Sequence, residues 1–191
     1  LFLMAGHGAG DSGAVGYGFT EAERVRYLAS RLAVLGGNNV TIADTNRNWY
    51  ADKGISSLNI PKSYEILELH MDSASASAKG GHVIIKGGVA ADQYDNFITS
   101  FFPGRSNSIV GRSDLANAKR AAKKGYSYRL LENGFITNAE DLNKFNAKTD
   151  DLARGILNAF GIVASAPKKE PIDGELKSGG VTQNSTGHLG E

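Results

Sequence analysis

Two histidines and two glutamates stand where their types can do joint chemistry. His7 follows the apolar run Leu1–Ala5 inside Gly6-His7-Gly8, His70 closes Ile66–Leu69, and Glu132 closes Tyr128–Leu131 ahead of Asn133-Gly134. If these runs are parallel strands of one sheet, their carboxyl ends line up along one edge, where open α/β sheets bind ligands. Glu21 joins them by helix phase. Val25, Leu28, Leu32 and Leu35 recur at steps of three and four, and four residues back from Val25 is Glu21. A carboxylate aimed at the interior needs a partner. Glu23 projects elsewhere and completes the S/T-x-x-E pattern of a capping box with Thr20. Two neutral imidazoles and one carboxylate with an open fourth position make a catalytic zinc site, in which the pKa of water falls to about 7. The expected set is one Zn2+ per chain on His7, Glu21 and His70. Glu132 is then the acid/base that takes a proton and delivers it to a leaving amine. A strand-end histidine taken alone is ordinarily structural, and Glu132 alone would serve as an acceptor for turn amides. The convergence of three strand ends is what favours chemistry.

The elements that must position these residues are legible as alternating runs. Residues 1–5, 40–43, 66–69, 82–85 and 128–131 read as strands. Helical periodicity covers 20–35, 91–102, 113–124 and 148–160, with weaker stretches at 55–65 and 139–145. Strands separated by helix-length segments predict an α/β fold, a mostly parallel β-sheet flanked by helices on both faces, in a single domain. Composition shifts near residue 165, where Pro167, Pro171 and a Ser-Gly-Gly step replace periodic hydrophobicity. Residues 1–164 are therefore the expected catalytic domain and 165–191 a linker or flexible tail carrying His188.

Other motifs compete for attention. Gly8-Ala9-Gly10-Asp11-Ser12-Gly13 satisfies G-x-G-x-x-G, and Asp44 ends a strand as a ribose-binding acid would. The helix, however, does not open at those glycines, because Ala14–Gly18 intervenes before Thr20, so a dinucleotide site is not expected. Glu68 shares strand parity with His70 and reads as a buried acid beside the ligand rather than a ligand. Asp72 is placed to orient an imidazole ring or to close an Asx-turn. His82, behind Gly80-Gly81, either lines the cleft or packs structurally. Arg105, Arg112 and Arg129 are candidates for holding an anionic substrate group, with ordinary ion pairing as the alternative. Thr137 or Asn138 caps a helix. Trp49 and Tyr50 lie in a polar loop suited to sugar or peptide contact, unless they fold back onto the core.

Composition narrows the field. The 191 residues contain no cysteine, which excludes disulfide scaffolds, zinc ribbons and thiol nucleophiles. Only four histidines are available to imidazole chemistry. A net charge of +1 gives no bulk attraction to nucleic acid. The opening apolar run ends at Gly6, too short for a membrane span or a signal peptide, so neither membrane nor nucleic acid is an expected partner.

The segments AGHGAGDSGAVGYGFTEAE, ILELHMDSA and YRLLENGFITNAEDL resemble, in order and spacing, the three signature blocks of zinc-dependent N-acetylmuramoyl-L-alanine amidases of the Amidase 3 type. The likeness spans about residues 1–162 and is nearest to catalytic domains of phage endolysins. It implies zinc on His7, Glu21 and His70, with Glu132 of Glu132-Asn133-Gly134-Phe135 as the catalytic acid/base. The implied reaction is hydrolysis of the amide joining N-acetylmuramic acid to L-alanine of the stem peptide in bacterial peptidoglycan. That family usually has Asn where this chain has Asp72, a change that removes no ligand. The implied partner is peptidoglycan (muramyl peptide), with wall attachment left to a lost or separate C-terminal wall-binding domain. Action at the cell wall would follow holin-type release from a host cytoplasm, or secretion if the N-terminus is incomplete. A zinc peptidase or deacetylase on another wall bond, and a wall-binding module without catalysis, are the alternatives.

Overall fold

A computed structural model describes residues 1–166 of the chain. The predicted linker from Ser165 onward, with His188, lies outside the described residues apart from its first two positions. In chain order the elements are β1 (Phe2–Ala5), β2 (Val15–Gly16), β3 (Phe19–Thr20), α1 (Glu21–Gly36), β4 (Thr41–Ile42), β5 (Glu65–Asp72) and β6 (His82–Lys86). They continue with α2 (Gln93–Phe101), β7 (Ile109–Arg112), α3 (Ala116–Lys124), β8 (Ser127–Phe135), α4 (Ala139–Ala147) and α5 (Thr149–Ala159). Six strands form one sheet in the order β4-β1-β5-β8-β6-β7. β4, β1, β5 and β8 run parallel, and β6 joins β8 antiparallel with β7 following β6. The fold is α/β, a mostly parallel mixed sheet flanked by five helices in a single domain.

Alternation along the strands divides the core in two. Leu3, Leu67, Leu69, Val83, Ile85 and Leu131 face α1, α2, α4 and α5. Val25, Leu28 and Leu32 of α1 are completely buried there, and each contributes about 1.5–3 kcal/mol. Phe2, Met4, Ile66, Ile84, Tyr128 and Leu130 face the other way, under α3 and a 3-10 turn at Gly54–Ser57. That second face is more lightly covered, and by strand parity it carries Glu68, His70, His82 and Glu132.

Boundaries moved where tertiary structure outweighs pattern. β5 and β8 run on to Asp72 and Phe135, so His70 and Glu132 sit inside strands rather than at their ends. The weak helical stretch at 55–65 is only the 3-10 turn. The small hairpin β2–β3, closed by Tyr17 and Gly18 at positive φ, and the strand β7 carry no strong apolar alternation and were not expected. Among the described residues no helix is long and apolar enough to cross a membrane.

Candidate metal centre

His7 sits just past β1 with φ 61°, a left-handed conformation few non-glycine residues adopt. Its surroundings hold it there. Gly8 and Asp11 exchange amide hydrogen bonds of 2.9 and 3.0 Å. Arg26 donates to the carbonyls of Gly6 at 2.9 Å and His7 at 3.0 Å. Backbone held so firmly in a sparse region is a feature of ligand clamps. Two glycines permit the close approach of this loop to the other groups. A Cβ on Gly6 would lie 2.3 Å from His70 Cε1, and one on Gly13 would lie 2.6 Å from His7 Cδ2.

Glu21 is the first residue of α1 and only 3% exposed. Thr20 caps the helix by accepting from the amide of Glu23 at 3.2 Å. The Glu23 carboxylate turns outward to Arg24 at 2.9 Å rather than closing the box. Glu21 turns inward. Its Oε1 lies 3.0 Å from His7 Nε2 and 2.8 Å from His70 Nδ1, and it accepts from the Met71 amide at 3.1 Å. Its Oε2 accepts from the Ala14 amide at 3.1 Å. One donor atom from each of His7, Glu21 and His70 lies within 4.8 Å of the others. The outer nitrogen of each ring is also fixed on a carboxylate, His7 Nδ1 on Asp11 at 2.9 Å and His70 Nε2 on Glu68 at 3.1 Å. Glu68 is held in turn by Tyr128 Oη at 2.6 Å and Asn117 Nδ2 at 2.9 Å. Imidazoles with one nitrogen inward and the other on a carboxylate are arranged as metal ligands are. The donor set, two nitrogens and one carboxylate oxygen, fits a divalent transition metal.

The charges reinforce this. Burial works to raise the Glu21 carboxyl, but hydrogen bonds from His7 and His70 override it and hold the group far below the usual carboxylate range. Burial works to lower His70, yet Glu21 and Glu68 carry it well above its ordinary value. His7 is raised chiefly by its bond to Glu21. The cluster attracts positive charge.

Glu132 stands one strand over, directly paired with His70. Beyond that pair the register shifts, so that three residues of β8 match two of β5 and Asp72 opposes Phe135. Gly134 takes φ 77° in this bulge, and Asn133 Nδ2 repairs the ladder by donating to the carbonyls of His70 and Leu131 at 3.0 and 3.1 Å. A bulge beside a site re-aims a side chain. Burial pushes the Glu132 carboxyl up to about 7, opposed by His70 and assisted by the charges of Asp72 and Glu21. A carboxyl near neutrality can both take and return a proton. A cavity of about 270 Å³ opens beside His7 and His70, walled by Leu115, Tyr128 and Leu130 with Tyr50 at its edge.

The remaining candidates sort themselves by contact. Asp72 does not orient a ring. It pairs with Arg105 at 2.5 Å, and Arg105 lies over the Phe135 ring. Arg129 is buried in an ion cluster with Asp95 and Glu65, both at 2.8 Å, and with Asp92. Arg112 pairs with its neighbour Asp114. Trp49 folds back to donate to the Asp44 carbonyl at 3.0 Å, whereas Tyr50 stays 63% exposed. Asn138, not Thr137, caps α4. The glycine loop packs against His7 and Glu21, and Asp44 accepts from the Asn46 amide in its own turn. His82 starts β6 and faces Glu132. Sequence reasoning missed the part played by Asp11. Its signal was an acid four residues beyond His7 across a Gly-rich turn, hidden by the resemblance of that turn to a nucleotide loop.

Comparison with known proteins gives a consistent result. Residues 1–161 match the Amidase_3 family, N-acetylmuramoyl-L-alanine amidase. The chain is 31% identical over 204 residues to "Probable autolysin PH" of Staphylococcus aureus, covering 95% of this chain and 40% of that protein. It thus spans about two-fifths of the length of this curated relative. The fold is similar to the catalytic domain of CD27L endolysin targeting Clostridia Difficile, with TM-score 0.60, 20% identity, and coverage of 82% of this chain and 96% of that one. It is also similar to the N-acetylmuramoyl-L-alanine amidase AmiC2 of Nostoc punctiforme, with TM-score 0.59, 21% identity, and coverage of 84% and 97%.

Proposed function

The chain belongs to the N-acetylmuramoyl-L-alanine amidase family, and from that membership we infer that residues 1–164 hydrolyse the amide between N-acetylmuramic acid and L-alanine in peptidoglycan. The observation that carries the reading is the buried Glu21 carboxylate between two imidazoles, each fixed from behind by a further acid. In this reading His7 through Nε2, His70 through Nδ1 and Glu21 hold one Zn2+ per chain. When bound, zinc supplies a Lewis acid that polarises the amide carbonyl and lowers the pKa of water. Asp11 and Glu68 keep the two rings in the orientation that binding needs. Glu132 takes the proton of the attacking water and passes it to the nitrogen of the departing L-alanine. The C–N bond breaks, a C–O bond forms, and the products are a lactyl carboxylate and a free amino terminus. Action is at the bacterial cell wall.

The test is digestion of purified peptidoglycan together with assay of the metal. One zinc per chain and new L-alanine amino termini are expected. Free glycine or D-amino-acid termini would replace this reading by a peptidase, and wall binding without release of fragments would replace it by a binding module. Glu132→Gln is expected to keep the metal and to slow release by about 10²–10⁴-fold, the usual contribution of a general acid/base.

A further inference from the structure

His82 has no task in the scheme above, yet its position is specific. β6 runs antiparallel to β8, and His82 directly opposes Glu132. Opposed residues of antiparallel strands project to the same face, with Cβ atoms about 4.5–5.5 Å apart. His82 Nε2 and Glu132 Oε2 are both closed off from solvent, and neither has a hydrogen-bond partner. Buried polar atoms in native proteins are almost always paired, so each exception asks for a reason. Here two exceptions of complementary type share one cross-strand pair. A neutral imidazole offers one N–H, and a carboxylate only accepts. Burial first and then the charges of Arg105 and Arg112 hold the ring below the usual histidine range against the pull of Asp72, which favours this neutral form. Catalytic hydrogen bonds are often long before substrate engages and tighten afterwards.

We propose that His82 is a positioning residue for Glu132: its Nε2–H donates to Glu132 Oε2 in the substrate-engaged site and leaves the other carboxylate oxygen to carry the proton. The sheet itself supplies the precision, since both side chains are rooted in paired strands rather than in loops. The proposal rests on the reading of Glu132 as the acid/base, and the experiment separates the two.

Peptidoglycan hydrolysis is measured for His82→Leu, which has no donor, and His82→Gln, which restores an N–H, each alone and with Glu132→Gln. Loss of a hydrogen bond to a charged group predicts a fall in kcat of about 10–100-fold for His82→Leu, with KM and zinc content unchanged. His82→Gln should recover most of that rate. Combined with Glu132→Gln, His82→Leu should cost nothing further, because its effect passes through Glu132. Equal losses in both backgrounds, a loss confined to KM, or full activity in His82→Leu would overturn the proposal while leaving Glu132 in its role. Full activity in Glu132→Gln would overturn both. Should His82→Leu fail to fold, 15N spectra of the parent chain decide. An Nε2–H tautomer at His82 whose signal moves in Glu132→Gln is expected, and an Nδ1–H tautomer unaffected by that substitution would overturn the assignment.

Discussion

Two clusters of carboxylates gather along β5 and β8, one against α2 and one around His7 and His70, and they are completed differently. On the α2 side Glu65, Asp92 and Asp95 surround Arg129, whose guanidinium is a permanent cation belonging to the chain. Asp92 and Asp95 also close the capping box of α2, so the ion cluster fastens that helix to the sheet. In the other cluster Asp11, Glu21 and Glu68 surround two imidazoles, whose charge depends on protons. The first cluster is neutralised by sequence and is finished on folding. The second is neutralised only by protons or by a bound cation, and it opens onto a cavity. The same sheet therefore carries one acidic cluster built for attachment and one built for exchange.

The strongest way to break this comparison is to remove the central group of each cluster. Arg129→Leu leaves the buried Asp95 carboxylate without a counter-charge, beside the partly exposed Glu65 and Asp92, and should cost about 3–5 kcal/mol of stability, read as a lower urea midpoint, while the folded fraction still binds metal. Glu21→Gln should abolish stoichiometric metal uptake, and its cost to the metal-free chain should shrink as pH rises through the folded values of His7 and His70, whereas the cost of Arg129→Leu should not follow those values. Glu23→Gln is the control on the same helix, expected within about 0.5 kcal/mol of the parent and with full metal content. Full metal content in Glu21→Gln, or its loss from the folded fraction of Arg129→Leu, would erase the distinction between the clusters.

A smaller effect sharpens it. Asp11→Asn and Glu68→Gln remove the charge behind each ring but no donor to the metal. Zinc affinity should fall by about 10–100-fold in each, measured by competition with a chromophoric chelator. Glu68→Gln has the larger expected loss, because that acid is 4% exposed and tied to Tyr128 and Asn117, whereas Asp11 is open to water. Unchanged affinity in both would mean that the carboxylates do not tune the rings.

Much of this was legible in the residues. Helix phase separated Glu21 from Glu23, since one of them continues the apolar face of α1 and the other does not. The expectation of parallel strands brought His70 and Glu132 together, and they are paired, although inside their strands rather than at the ends. Asp11 and the antiparallel turn of β6 were not legible, because neither leaves a periodic trace. The first depends on a loop whose conformation is set by Arg26 and two glycines, and the second on the sheet choosing an antiparallel edge pair after a parallel core. Arg129 reads from sequence as a candidate for an anionic substrate group or an ordinary ion pair, and only the packing of α2 against the sheet shows it as an anchor. Sequence thus gave up the groups that follow a helix or strand period and concealed those fixed by tertiary contact.

The finest distinction between the clusters is their response to pH in the metal-free protein. His7 and His70 are raised above the ordinary value of 6.5, so the stability they contribute is complete below that value and is lost as pH rises through their folded values. Glu132, raised from 4.5 to about 7 mainly by burial, adds a loss in the same direction that runs from 4.5 to about 7, where the unfolded chain ionises and the folded group stays neutral. Glu21 is depressed from 4.5, so its contribution is complete above 4.5 and is lost only as pH falls below it. The metal-free protein should therefore be most stable near pH 4.5, decline from there to about 7 through Glu132, and weaken further as the imidazoles lose their protons above 6.5. Each kcal/mol lost lowers Tm by roughly 2–4 °C for a chain of this size. Bound zinc replaces the departing protons, so the alkaline fall should vanish when the metal is present at saturation. Arg129 keeps its charge throughout this range and contributes no such slope. The comparison fails if the metal-free and zinc-loaded proteins show the same decline in Tm between pH 7 and about 9, above the range of Glu132, for then the slope originates outside the imidazole cluster.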